Sequence, residues 1–366
     1  MKFNQWTLGL AAVGAVSLAS AVRADEAKLS AVQTALSNTT ISGYVDVAAQ
    51  YNAGDANLFG GNTPTPGGVP DGFSLNSVTV SLDKPLDESP WASGYHIDLN
   101  WGNNIISAPG YGNVRQAYVA LRTPVGNGID WKVGLMDGIT GYEGNTGYSN
   151  PNYTRSYGYA LNPTTEIGLL GTYKVSSLIS VTAGMVNRSG NFGTINPSGS
   201  ELSSHDYIGS VALTAPDSWG FLKGSSLNLQ TIQAFDSWGA NNYSVNGTFS
   251  TPVTGLKVGL AYDKVQGLGW LGTANDGNVY GVYATFQQTS KLSYALRAEY
   301  VDGQNLPFFA GNGKGEEVTA TVEYDLWANV VSRAEFRWDH TEQGTQFNNN
   351  NTESAYMLAL NLVYKF

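Results

Sequence analysis

Apolar and polar residues alternate along most of this chain, and the last eleven residues show the alternation most clearly. One set of alternate positions holds only aromatic residues and leucines, namely Tyr356, Leu358, Leu360, Leu362, Tyr364 and Phe366. A β-strand directs successive side chains to opposite faces, so this segment would present one continuous apolar face. Aromatic residues at both ends with leucines between them favour a strand that faces lipid. The alternative for this stretch alone is an edge strand of a secreted β-sandwich.

The same alternation recurs upstream, in segments separated by stretches rich in Gly, Pro and Asn. We predict about sixteen strands, within a range of roughly 14 to 18 because the signal of each segment is weak. The predicted strands are 41–51, 73–83, 94–102, 114–123, 131–137, 166–175, 178–188, 206–215, 226–235, 242–250, 256–263, 279–287, 292–301, 317–326, 328–339 and 356–366. The alternation of 226–235 is the poorest, since Ile232 interrupts it.

Long and short connections also alternate. Connections after odd-numbered strands are long, whereas those after even-numbered strands are compact turns that often contain Pro, Gly or Asn. This is the order of long outer loops and short periplasmic turns in an even-stranded barrel. The predicted fold is therefore all-β: a transmembrane, antiparallel, up-and-down β-barrel. A barrel of about sixteen strands encloses an aqueous channel rather than a packed interior.

The N-terminus predicts export. Lys2 precedes an apolar run from Trp6 to Ala19, which is too short for a spanning helix and typical of a secretory signal that is cleaved near Ala24. The next residues place Leu29 and Leu36 on one helical face, which leaves open a short helix or a linker. The predicted organisation is a signal peptide at 1–24, this helix or linker at 25–39 and the barrel at 40–366.

Composition narrows the function. Charged residues make up 13% of the chain, well below the ~25% of soluble domains. Mean hydropathy is nevertheless −0.18, because half of each strand would face water. The formal net charge of −10 argues against nucleic acid as a partner. The sequence has no cysteine, no phosphate loop and no cluster of metal-binding residues, so we expect no cofactor and no metal.

The third outer connection, 138–163, is unusually rich in tyrosine. It carries Glu143, Arg155 and the five tyrosines Tyr142, Tyr148, Tyr153, Tyr157 and Tyr159. Amphipathic rings pack a loop against a wall while their hydroxyls meet polar partners. We therefore expect this loop to form a constriction, with Glu143 facing an inward basic group. The alternatives are that the loop only caps the mouth, or that Glu143 and Arg155 pair within it.

Charged strand residues fall on the side that would face the lumen. A charge that faced lipid would cost about 2–4 kcal/mol near the midplane. The candidate constriction residues are Glu143, Arg155, Tyr142, Lys132 and Arg122, and the candidate wall charges are Arg297, Glu299, Arg333, Glu335 and Arg337. Mixed charges across a pore would sort ions and polar solutes. Alternatively, these charges mainly pair with their neighbours and stiffen the wall.

Residues 114–168 carry a series of motifs, which are Arg115-Gln-Ala-Tyr-Val119, Val133-Gly-Leu-Met-Asp-Gly138, Gly141-Tyr-Glu143, Asn150, Tyr153-Thr-Arg-Ser-Tyr157, Pro163 and Glu166-Ile-Gly168. Together with Ile41-Ser-Gly-Tyr-Val45 and the terminal Phe366, they resemble the OmpL-like outer-membrane β-barrel porin family (putative beta-barrel porin-2). Glu166 departs from the resemblance, since a histidine-threonine pair is expected there before the glycine.

The resemblance implies passive diffusion of ions and small hydrophilic solutes across the bacterial outer membrane. The expected partners are outer-membrane lipid, small solutes, the barrel-assembly machinery that reads Tyr364 and Phe366, and, by analogy with porins of this size, two further copies in a homotrimer. Two other functions stay open. One is a structural or adhesive barrel with a closed lumen. The other is a barrel enzyme, although His96, His205 and His340 lie in no recognisable serine–histidine motif.

Overall fold

A computed structural model of the chain describes residues 38–53, 71–103, 111–187, 205–234, 240–268, 274–306, 312–342 and 353–366. The predicted signal peptide and almost all of the predicted 25–39 segment lie outside these residues. In the described part of the chain, no helix is long and apolar enough to cross a membrane.

The described residues form sixteen antiparallel strands that pair in chain order and close into a barrel. The strands are β1 Thr40–Ala53, β2 Gly72–Lys84, β3 Ser93–Trp101, β4 Val114–Thr123, β5 Ile129–Asp137, β6 Thr165–Lys174, β7 Ile179–Asn187, β8 His205–Thr214, β9 Ser226–Ala234, β10 Ala240–Ser250, β11 Leu256–Leu268, β12 Ala274–Gln287, β13 Leu292–Gln304, β14 Asn312–Trp327, β15 Val330–Glu342 and β16 Ser354–Lys365. The predicted sixteen-stranded barrel is thereby confirmed.

The first and last strands close the barrel. Val47 on β1 lies opposite Leu362 on β16 in an unbroken register. At the end of the chain, the backbones of Gly43 and Phe366 exchange hydrogen bonds of 2.9 and 3.0 Å. Closure satisfies the backbone groups that a free sheet edge would leave unpaired in hydrocarbon.

The strands present an apolar face to the outside. On β16, Leu360 points outward and is 65% exposed, whereas the adjacent Ala359 points into the lumen and is buried. Exposed tyrosines mark both ends of this outer face, Tyr356 at one end and Tyr364 at the other. Exposed leucines between aromatic girdles are the surface that a bilayer covers.

Some strands extend further than the alternation predicts. β12 begins at residue 274 instead of 279, and β14 begins at residue 312 instead of 317. The additional part of β14 includes Gly313 and Gly315, which pair with β13. Beyond the hydrocarbon both faces of a strand meet water, so pairing continues where the hydrophobic alternation has ended.

The poor alternation of β9 has a physical explanation. Ile232 points into the lumen and is fully buried beside Met136, Leu170, Val186 and Ile208. The lumen wall formed by β5 to β9 therefore carries an apolar patch. A strand whose inward residue is also apolar loses the contrast on which the prediction depends.

If the outward residues face lipid, the stability cost of introducing a charge should depend on its depth in the bilayer. Val282, near mid-strand on β12, and Val253, in the β10–β11 turn, are 53% and 56% exposed. We expect Val282→Arg to lower the free energy of unfolding from lipid vesicles by about 2–4 kcal/mol, and Val253→Arg to lower it by about 0–1 kcal/mol. Urea titrations of both variants measure this difference. Equal costs at the two sites would contradict the assignment of β12 to the hydrocarbon.

Candidate functional site

The connection between β5 and β6, residues 138–164, folds into the barrel, and we call it the lumen loop. It contains a 3₁₀ turn at Gly147–Ser149 and one short helix, α1, at Tyr157–Leu161. The Ser156 hydroxyl caps α1 by accepting a 2.9 Å hydrogen bond from the Tyr159 N–H. All residues from 152 to 163 are buried. Because buried backbone groups need hydrogen-bond partners, the barrel wall must supply those that the loop lacks.

Two wall carboxylates bind the loop backbone. Glu335 on β15 accepts hydrogen bonds from the N–H groups of Tyr153 at 2.5 Å and Thr154 at 2.9 Å, and from the Thr154 hydroxyl at 2.6 Å. Glu299 on β13 accepts bonds of 2.5 and 3.1 Å from the N–H groups of Tyr157 and the residue after it. Charge-assisted bonds of this kind are about twice as strong as neutral ones. The two carboxylates therefore hold the loop against one side of the lumen.

Arg297 on β13 joins the loop to the wall through two ion pairs. Its Nη1 lies 2.8 Å from Glu143 Oε1 in the loop, and its Nε lies 2.6 Å from Glu317 Oε1 on β14. All three side chains are completely buried. The second Glu143 oxygen accepts a 2.9 Å bond from the Ser156 N–H. Loss of one member would leave an uncompensated buried charge, which is far more costly than loss of a surface ion pair.

Two further wall arginines donate to loop carbonyls. Arg337 binds the carbonyl of Arg155 at 2.6 Å and is itself paired with Asp339 at 2.7 Å. Arg333 binds the carbonyl of Gly147 at 3.2 Å. The candidate wall charges on β13 and β15 thus contact the loop itself, so they do not simply pair along the wall.

Arg155 acts within the loop. Its guanidinium donates to the carbonyls of Gly144 at 2.6 Å and Asn145 at 2.5 Å, and it lies 4.5 Å from the centre of the Tyr159 ring. Burial raises the pKa of Tyr159 to about 12, so its hydroxyl stays protonated and donates to Asn145 Oδ1 at 2.7 Å. Arg155 therefore folds the loop on itself, and the group that faces Glu143 is Arg297 instead.

The opposite flank of the loop packs on β10 to β13. Asn242 donates to the Leu161 carbonyl at 2.9 Å, and Asn162 donates to Asp263 at 2.7 Å. Around these bonds α1 buries an apolar cluster that consists of Tyr157, Ala160, Leu161, Ala240, Val265, Val279, Val301, Leu306 and Ala355. This cluster adds hydrophobic stabilisation to the polar contacts.

The other candidate constriction residues lie at different heights. Tyr142, in the loop, stacks on Tyr283 with ring centres 4.0 Å apart. Lys132 on β5 faces the lumen with its Nζ 4.8 Å from the Tyr118 ring. Arg122 lies at the turn end of β4, where it pairs with Asp130 at 2.6 Å, and the loop begins at the far end of β5. The alternation of side chains along a strand shows which face a residue occupies but not its position along the barrel axis. Arg122 is therefore not a candidate constriction residue.

A second charged cluster lies on β2 to β5, and it was not predicted from the sequence. His96 lies 2.8 Å from Asp83 and 3.0 Å from Asp98, while Arg115 binds Asp98 and lies 3.2 Å from Asp137. Asp137 also accepts a 2.8 Å bond from the side chain of Asn145, which ties the cluster to the lumen loop. The inward parity of His96 and Asp98 was a usable signal, but parity does not identify partners on other strands.

The architecture defines a class of protein. A closed barrel of sixteen described strands, apolar outside and polar inside, with its third outer loop folded into the lumen, is the architecture of outer-membrane porins. The profile of one family of this class, "Putative beta-barrel porin-2, OmpL-like", matches residues 38–366, and the chain belongs to that family. A comparison with curated protein sequences finds no match.

Solved structures of outer-membrane proteins share the fold. The channel DcaP of Acinetobacter baumannii aligns with a TM-score of 0.59 at 12% identity, over 90% of this chain and 97% of that one. An anion-selective porin from Comamonas acidovorans gives 0.58 at 13% identity, over 90% and 99%. The trimer form of in-vitro folded OmpT from Vibrio cholerae gives 0.52 at 13% identity, over 90% and 99%. Family and fold place the protein in the bacterial outer membrane.

The loop contacts predict how Glu335 controls local opening. In Glu335→Gln the amide can accept only on its oxygen, so the N–H groups of Tyr153 and Thr154 lose part of their acceptor. We expect amide hydrogen exchange of these two residues to accelerate by about tenfold to a hundredfold, the equivalent of a lost bond to a charged group. The matched control is Glu342→Gln at the exposed end of β15. Equal exchange in wild type and Glu335→Gln would contradict the anchoring role.

Proposed function

We propose that the protein is a passive channel for ions and small hydrophilic solutes, and that the lumen loop is its constriction. The observation that carries this proposal is the extent of the loop's attachment. Its contacts run from Asn76 on β2, whose amide lies 3.1 Å from the Tyr153 hydroxyl, to Gln230 on β9, which accepts from the Gly141 N–H at 3.0 Å. Between these strands lie β1 and β10 to β16, so the loop covers about half of the wall of a barrel wide enough to hold water.

The lumen also carries charged side chains that could interact with ions and polar solutes as they pass. Lys132 on β5 is exposed to the lumen, and the half-buried Glu323 lies on β14, on the other side of the barrel. A pore with charges of both signs on different walls has a transverse field that orients ions and polar solutes. This supports diffusion through the space beside the loop.

We also propose that the protein is not an enzyme. The Ser354 hydroxyl on β16 lies 3.0 Å from His340 Nδ1 on β15, where His340 stacks on Trp338, but within the described residues this histidine forms no ion pair with a carboxylate that could orient it. A second serine and histidine, Ser81 and His96, lie together with Asp98 on β2 and β3. Ser81 donates its hydroxyl proton to Asp98, and His96 lies between Asp83 and Asp98. A serine nucleophile needs the imidazole as its acceptor, and this hydroxyl has a carboxylate instead.

Two proposals concern partners. The C-terminal strand, with Tyr364 facing lipid and Phe366 bonded to Gly43, is proposed as the segment recognised by the barrel-assembly machinery. A homotrimer is proposed because the similar OmpT barrel has a trimer form.

A matched pair of variants tests the constriction in planar bilayers. Glu143→Gln removes a carboxylate that pairs Arg297 with the loop, and Asp130→Asn removes one that pairs Arg122 in a turn. We expect wild type to conduct in discrete steps. Glu143→Gln should raise the conductance and its open-channel noise and shift the reversal potential in a KCl gradient, because the loop is less firmly held. Asp130→Asn should behave as wild type.

Two outcomes would contradict these proposals separately. Unchanged conductance and reversal potential in Glu143→Gln would contradict the proposal that the lumen loop is the constriction. A wild-type protein that inserts into the bilayer but carries no ion current would contradict the channel function and favour a structural barrel.

Deletion of Phe366 should separate assembly from conduction. It removes both backbone bonds to Gly43 but no residue of the lumen loop. We expect fewer inserted barrels in the outer membrane, with the single-channel conductance of those that insert unchanged. Phe366→Tyr, which keeps an aromatic end and both bonds, is the control. Normal insertion of the deletion variant would argue against recognition of the last residue.

A further inference from the structure

A cavity of about 430 Å³ lies beneath the tip of the lumen loop. Its roof is the loop segment 148–151, and its wall is formed by lumen-facing residues near the turn ends of β11 to β14. It is large enough for a small organic solute.

Two opposite charges line this cavity. Lys257 on β11 is exposed, and Glu323 on β14 is half-buried. Within the described part of the chain, neither side chain forms an ion pair or a side-chain hydrogen bond. Glu323 faces Arg333 across the β14–β15 register, but Arg333 directs its Nε to Asn361 at 3.0 Å and its Nη1 to the loop.

The state of Glu323 is unusual for this wall. Four lumen carboxylates of β13 to β15 are engaged: Glu299 and Glu335 hold loop amides, Glu317 pairs with Arg297, and Asp339 pairs with Arg337. Among the described residues, Glu323 and, two positions further along β14, Asp325 form no ion pair, and of these two only Glu323 lines the cavity. The wall thus uses its acids to hold the loop and leaves Glu323 available where the cavity opens.

Strand geometry sets the distance between the two charges. β11 and β14 are three strand spacings apart, and the register places Lys257 level with Thr321, two residues from Glu323, so the backbones of the two charged residues are about 16 Å apart. Both side chains extend into the intervening space, so the gap between their charged ends is shorter. A dipeptide spans about 7 Å when extended. Between the charges, Thr285 and Ser293 offer hydroxyls to the polar middle of such a solute.

We propose that this cavity is a binding subsite for small zwitterions of dipeptide size. The carboxylate of the solute meets Lys257 and its ammonium group meets Glu323, each through charge-assisted hydrogen bonds. A solute with only one charge satisfies one wall group and leaves the other without a partner. This inference rests on the proposed channel function and names the solute class that the channel holds on its way through.

Dialanine is the probe, added to both compartments of a planar bilayer that contains the full protein. We expect it to reduce the wild-type current in a saturable way. Lys257→Gln and Glu323→Gln should each weaken this block by about tenfold, because each loses one charged partner. Lys291→Gln, at an exposed lysine in the β12–β13 turn that does not line the cavity, should leave the block unchanged.

Testing modified probes on wild type and on both variants assigns each end of the solute to the residue that binds it. N-acetyl-dialanine lacks the ammonium group, so it should block wild type about as weakly as dialanine blocks Glu323→Gln. The Glu323→Gln change should not weaken the acetylated probe further, since the interaction is already absent. Dialanine amide, which lacks the carboxylate, should give the same result with Lys257→Gln.

The outcomes are distinct. A wild-type protein that seals the bilayer before any solute is added overturns the channel function, and this inference with it. If the channel conducts, this inference alone is overturned when dialanine has no effect, when N-acetyl-dialanine blocks as strongly as dialanine, or when neither variant changes the block. Single-channel steps from each variant establish that it has folded and inserted.

Discussion

Hydrocarbon outside the barrel offers no hydrogen-bond partner, and every other feature of this protein is arranged around that constraint. Backbone groups must pair with backbone groups, so the sheet closes through β1 and β16 and no described strand is left as an edge. Outward positions must be apolar, as Leu360 and Val282 are. Charged residues in the middle of the strands, such as Arg297, Glu317 and Arg337, are consequently directed to the one side that can hold water, which is the lumen.

Inward placement creates a second requirement, because charges crowded in a lumen need partners. The lumen loop has the complementary need, since its buried backbone has no strand beside it. Glu335 and Glu299 accept from loop N–H groups, while Arg337 and Arg333 donate to loop carbonyls. The wall therefore supplies hydrogen-bond partners for the buried loop backbone. The loop in turn supplies partners for the charged side chains of the wall.

This mutual satisfaction changes what the net charge means. The chain carries a formal charge of −10, yet many lumen acids are neutralised by arginines or bound to loop amides. The field that a solute meets depends on the few charged groups that stay in contact with water, such as the exposed Lys132 and Lys257 and the half-buried Glu323. Selectivity in such a pore is a local property, because buried and paired charges contribute little to the field at a distance.

Much of this could be predicted from sequence. The alternation that ends at Phe366 determined the strands, their outward faces and the approximate count, because lipid imposes apolar residues at every second position. The tyrosines of 138–163 marked a loop that packs, and parity placed Arg297, Glu299, Arg333, Glu335 and Arg337 on the inner face.

Only the tertiary structure decided which inward groups meet. Glu143 faces Arg297, a partner 154 residues away, while Arg155 folds back on its own loop. Arg122 shares the inward face but lies at the turn end, and the cluster around His96 and Asp98 was not anticipated. A period of two records which face a side chain occupies, but height along the barrel and distance across it depend on register, closure and the path of the loop.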